Sequence, residues 1–117
     1  MTLQLFHNPR CRKSRAAKEY LNSKNSAYET IFYIEKGLTK EQLLDIVTKT
    51  NVPLDALLRK QETDYKIQIK GKEMNQSQLI DFLIEYPHVL IRPIVLSDTD
   101  GVVADPPENI EKLLTHK

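Results

Sequence analysis

A chain of 117 residues, 28% charged and 40% hydrophobic, suffices for one compact domain and leaves no room for a second core. Its 17 basic and 16 acidic residues leave a net charge of +1, which argues against the strongly basic footprint of a nucleic-acid binder. The charge is uneven along the chain: residues 1–18 hold Arg10, Arg12, Lys13, Arg15 and Lys18 with no acid, a local +5 against −4 for the remainder.

The single cysteine, Cys11, rules out an internal disulfide, and His7, His88 and His116 lie too far apart in sequence for a metal-ligand cluster. No segment approaches the roughly 18 apolar residues of a membrane helix, and the start "MTLQLFHNPRC" lacks the regions of a secretion signal. The expectation is a cytoplasmic protein with no metal and no bound cofactor.

In chain order, "TLQLF" reads as a short strand with Leu3 and Leu5 on one face and Phe6 on the other. "HNP" breaks it before a helix that begins near Cys11 and carries Ala16, Ala17, Tyr20 and Leu21 at helical spacing. After "NSKNS", the β-branched and aromatic run "YETIFYI" reads as a second strand, parallel to the first because a helix intervenes. "TKEQ", from Thr39 to Gln42, matches a capping box, and Leu43, Leu44, Ile46 and Val47 supply a buried helical face. Pro53 is expected at the first position of another helical turn through "LDALLRK". The polar "QETDYKIQIKGKEMN" reads as mobile, and "QSQLIDFLIEY" as a helix that Pro87 ends. "VLIRPIVL" and "GVVA" flank the "DTDG" turn as an antiparallel hairpin. A last helix, "PPENIEKLL", is expected to start with Asp105 as N-cap, Pro106 as first helical residue and Glu108 as capping-box partner. This order is that of an α/β thioredoxin-like fold, a βαβ … ββα mixed sheet in one domain over residues 1–117, with a helical insertion at about residues 38–87.

A thiol attacks as thiolate, and an unperturbed pKa of about 8.5 leaves only a few per cent ionised at neutral pH. Cys11 stands at a strand-to-helix junction, where the first-turn N–H groups and the nearby Arg10, Arg12, Lys13 and Arg15 favour an anion. His7 adds a further positive group if its ring faces back. A filler cysteine belongs on an apolar face rather than among charges, so a reactive thiol is the better reading. A phosphatase-type loop needs arginine where Ala17 stands, and a dithiol motif needs cysteine where Ser14 stands. Any thiol chemistry therefore needs an outside thiol. Ser14 caps the helix or donates to the sulfur.

These residues carry a resemblance. "FHNPRCRKSR", "LLRK" at Leu57–Lys60, "QLIDFLIEYPHVLIRPIV" and "PPENIEKLL" are similar to the glutaredoxin-coupled arsenate reductases, the ArsC family, over nearly the whole chain. The resemblance implies that Cys11 attacks arsenate, that glutathione completes the reduction to arsenite as co-substrate, and that glutaredoxin resolves the mixed disulfide. It implies that Arg59 and Arg92 bind the oxyanion, for which a guanidinium fork is suited. Arg15 and His7 match residues beside the nucleophile, and Pro93 matches a proline held cis in thioredoxin-like folds. Asp105 departs from the family, which has a third oxyanion-binding arginine there, and its charge opposes arsenate if it lies close. Two rival readings are an Spx-type regulator that binds RNA polymerase, disfavoured because Ser14 removes the usual Cys-x-x-Cys switch, and a glutathione-linked reductase of another substrate.

Overall fold

The computed structural model describes residues 2–114, so His116 lies outside the described residues. Four strands form one mixed sheet in the order β2-β1-β3-β4: β1 (Leu3–Phe6), β2 (Tyr28–Ile31), β3 (Ile94–Leu96) and β4 (Gly101–Val103). β1 runs parallel to β2, with Leu3 opposite Tyr28 and Phe6 opposite Ile31, and antiparallel to β3, with Leu5 opposite Val95. β3 and β4 form the expected antiparallel hairpin, closed where the Ser97 hydroxyl accepts from the Thr99 and Asp100 amides at 3.3 and 2.9 Å.

β3 is apolar on both faces, and so is β1 apart from Gln4, which dictates the layers. Leu3, Leu5 and Val95 pack with Ala17 and Leu21 of α1 (Arg12–Ser23), and with Ile110 and Leu113 at the chain's end. Phe6, Ile94 and Leu96 face the opposite way, into a larger core with Leu43 and Ile46 of α3 (Lys40–Thr50) and Leu79, Ile80 and Leu83 of α5 (Gln76–Glu85). Each fully buried leucine or isoleucine here contributes about 1.5–3 kcal/mol.

The Thr39–Gln42 capping box forms, the Thr39 hydroxyl accepting from the Gln42 amide at 3.1 Å and the Gln42 side chain accepting from the Thr39 amide at 2.9 Å. A second box that sequence reading did not single out, Asn75 with Gln78, starts α5.

Four expectations need correction. The second strand stops at Ile31, and α2 (Tyr33–Lys36) takes the rest of "YETIFYI", so the helical region between β2 and β3 begins at Tyr33 rather than near residue 38. Burial of the whole Tyr33 side chain overrides the strand preference of its sequence. Pro53 has extended backbone and precedes a 3-10 turn, Leu54–Leu57, so "LLRK" leaves the helical geometry. The polar stretch is partly ordered as α4 (Thr63–Gln68), which the Asp64–His88 pair at 2.6 Å ties to the segment after α5. At the last helix, the residue before the 3-10 turn Pro107–Ile110 is Pro106, no side chain caps it, and α6 (Glu111–Leu114) follows. Asp105 is not a cap, because the extended Pro106 stands between it and the turn and no side chain caps that turn.

Candidate functional site

Cys11 is the N-cap of α1: its backbone is extended, with φ −95° and ψ 124°, while its carbonyl accepts the Arg15 amide at 3.0 Å. The loop before it is braced locally. The Asn8 side chain accepts from the Arg10 amide at 3.1 Å, and the Asn8 carbonyl accepts from the Cys11 amide at 2.9 Å. The fully buried Ser14 hydroxyl accepts from the Asn8 amide at 3.3 Å, and Arg15 Nη1 donates to the Pro9 carbonyl at 2.9 Å. Ser14 and Arg15 thus shape the turn that presents the sulfur. With its hydroxyl on Asn8, Ser14 faces the sulfur with its backbone amide instead, as does Lys13; neither makes a cap hydrogen bond of full geometry.

The thiol is half-buried, and burial opposes its ionisation. That is outweighed by the Ser14 amide, a hydrogen bond and charge from the Arg92 guanidinium, and the Lys13 amide, so the pKa lies below the ordinary thiol value. His7 contributes nothing to this shift. Its ring is 3% exposed, lies edge-on to Phe32 at 5.8 Å between centroids, and leaves Nδ1 buried without a partner. Burial, then Lys18 and Arg15, hold its pKa below the usual histidine value, so it is neutral at pH 7. The expectation that its charge activates the thiol is corrected for that reason.

Arg59 and Arg92, 33 positions apart in sequence, are brought together by backbone pairing that no local pattern announces. Leu58 and Leu90 form an isolated antiparallel bridge; the Arg59 amide donates to the Val89 carbonyl at 2.7 Å and the Ile91 amide to the Leu57 carbonyl at 2.8 Å. Arg92 Nη1 donates to the His88 carbonyl at 2.9 Å, which anchors the guanidinium while its other donors remain available. The Arg92–Pro93 bond is cis. The result is a cleft of about 330 Å³ lined by Cys11, Lys13, Arg59, Arg92 and Asp105, with Leu58 and Ile91 as apolar wall. His7, Ser14 and Arg15 stay outside that lining.

Asp105 does reach the cleft, but its carboxylate meets Lys13 Nζ at 2.9 Å, so part of its charge is answered locally. Arg59 Nη1 in turn bonds the Glu62 carboxylate. Two site residues escaped sequence reading. Glu62 carried a faint signal, an acid three positions after an arginine. Tyr33 carried none, because its strand-like neighbours concealed it. Its side chain is fully buried and its hydroxyl lacks a hydrogen bond of full geometry; it faces Arg92, whose Nε is also buried and unpartnered. Burial drives the phenol pKa far up, with opposing pulls from Arg92 and Arg59, so Tyr33 is a neutral backing to the arginine pair. Among the described residues no three histidine, cysteine or carboxylate side chains are placed to hold a metal ion.

A family model, described as the ArsC family, matches residues 6–113. The chain belongs to the ArsC family. An arsenate reductase of Neisseria meningitidis serogroup A / serotype 4A is 32% identical over 114 residues, spanning 96% of this chain and 97% of the relative. An arsenate reductase of Escherichia coli is 27% identical over 113 residues, 96% of this chain and 80% of the relative. The solved arsenate reductase from Vibrio cholerae superposes with a TM-score of 0.90 at 26% identity, covering 96% of this chain and 97% of that one. The mixed sheet and the helices inserted between β2 and β3 are therefore the thioredoxin-like architecture of ArsC proteins. No helix among the described residues is long and apolar enough to cross a membrane.

Proposed function

We propose that this protein is a thiol-dependent reductase that converts arsenate to arsenite, with Cys11 as nucleophile and Arg59 and Arg92 as the oxyanion clamp. The observation that carries the reading is the convergence of a thiol of lowered pKa and two guanidinium groups on one cleft. The Cys11 thiolate attacks arsenic, and an oxygen leaves as water. The thiol of glutathione then attacks the bound arsenic. Its collapse joins the two sulfurs in a mixed disulfide, passes their two electrons to As(V), and releases arsenite. In total, two thiols and arsenate give the mixed disulfide, arsenite and one water. Glutaredoxin removes the glutathionyl group, since no second cysteine is present to do so. The two arginines offset the negative charge that otherwise repels thiolate from oxyanion, and the His88 carbonyl holds Arg92 in place. Such glutathione chemistry fits a cytoplasmic setting.

The test is arsenite production with glutathione and glutaredoxin, comparing the wild type with Cys11→Ser; production no higher than in the variant refutes the reading. A second reading, a glutathione-linked reductase of a less charged substrate, draws on Asp105, which lines the cleft, and on Glu62, which pairs with the lining Arg59. Activity with a neutral disulfide or peroxide but not with arsenate would establish it.

A further inference from the structure

We propose that Glu62 is a specificity-determining residue of the cleft: its carboxylate occupies the Arg59 guanidinium in the resting protein and is released when Arg59 takes an oxyanion. The proposal rests on Arg59 being an oxyanion ligand. Glu62 lies three positions beyond Arg59 in a turn whose closing bond, from the Glu62 amide to the Arg59 carbonyl, measures 3.1 Å. This backbone bond keeps the carboxylate beside Arg59 Nη1, where the two side chains pair.

Most of the surrounding charges pair elsewhere, although Arg12 also lines the cleft. Lys60 pairs with Asp55 at 3.5 Å, Asp64 with His88 at 2.6 Å, and Lys13 with Asp105 at 2.9 Å. The Arg59–Glu62 side chains are also the more sheltered, 23% and 27% exposed against 63% and 40% for Lys13 and Asp105. Arg92 is different in kind, because its anchor is the neutral His88 carbonyl, which does not repel an anion. A tetrahedral dianion entering between the arginines meets like charge at Glu62 and competes with it for the same donors. Only an anion that outbids a carboxylate gains the full clamp, so the pair sets a charge threshold that weakly charged anions fail to pass.

The test titrates inorganic sulfate into the reduced full chain at constant ionic strength and reads the protection of Cys11 from alkylation by iodoacetamide. Wild type, Glu62→Gln, Glu62→Ala and Asp105→Asn are compared. Both Glu62 variants are expected to bind sulfate about fivefold more tightly, the size appropriate to a partly screened ion pair, and Asp105→Asn less than that. If sulfate protects the wild type and both Glu62 variants bind it equally or more weakly, Glu62 holds Arg59 in place rather than competing, and the proposal is overturned while the oxyanion reading stands. If sulfate protects no form, both are overturned.

Discussion

Replacing Arg92 by lysine keeps the charge and removes the fork, which isolates what the guanidinium geometry does. Arg92 serves two groups at once: Nη1 donates to the His88 carbonyl at 2.9 Å, and the guanidinium faces the Cys11 thiol and helps lower its pKa. A lysine ammonium, a point donor on a flexible stem, reaches one of these and leaves the other. The loss is at most one charge-assisted contact, about 1.5–3 kcal/mol, and the cleft's partial openness favours the lower end. Arg92→Lys is therefore expected to lower kcat/KM for arsenate by about tenfold or more. The direction of a second readout follows from the same contact: part of the downward shift of the Cys11 pKa comes from Arg92, so the pH midpoint of iodoacetamide alkylation moves up. The wild-type thiol should in turn titrate below an ordinary cysteine. An alkylation profile superimposable on the wild type, with kcat/KM within about twofold, would refute the claim that the fork holds the thiolate.

Gly101 opens β4 where a Cβ would stand 2.5 Å from Leu96 Cδ2 and 3.0 Å from Thr50 Cγ2. Gly101→Ala should therefore lower stability by about 1–3 kcal/mol in denaturant melts, and an unchanged midpoint would contradict the packing described. His7 is neutral in the fold with a pKa below its free value of 6.5, so the unfolded chain binds the proton first. Its contribution to stability is accordingly full above about pH 6.5 and declines as the pH falls towards the folded pKa; His7→Leu should flatten that part of the pH–stability curve, and an unaltered slope would count against it.

Local signals in this chain were reliable where the determining contacts are local. The Thr39–Gln42 box forms because its partners are three residues apart, and "NPRC" makes a turn into a helix because proline and Asn8 favour it. The alternation in β1 shows directly which side chains enter which core. Tyr33 failed the same logic: its β-favouring neighbours point to a strand, and burial of its whole side chain in the larger core overrides them. Asp105 failed too, because the sequence that resembles a helix cap here precedes an extended Pro106, and the carboxylate turns to Lys13, 92 positions away in sequence.

From sequence alone follow the lone nucleophile at a helix start, the absence of any second thiol to resolve it, and the residue types able to hold an oxyanion. Those depend on composition and on neighbours in the chain, which every residue carries with it. Only the tertiary structure decided that Arg59 and Arg92 meet at Cys11, through the Leu58–Leu90 bridge, and that Glu62 and Asp105 stand beside them with their own partners. The cleft's net field is a sum over charges that approach only after the chain has folded, and no pattern of nearest neighbours contains it.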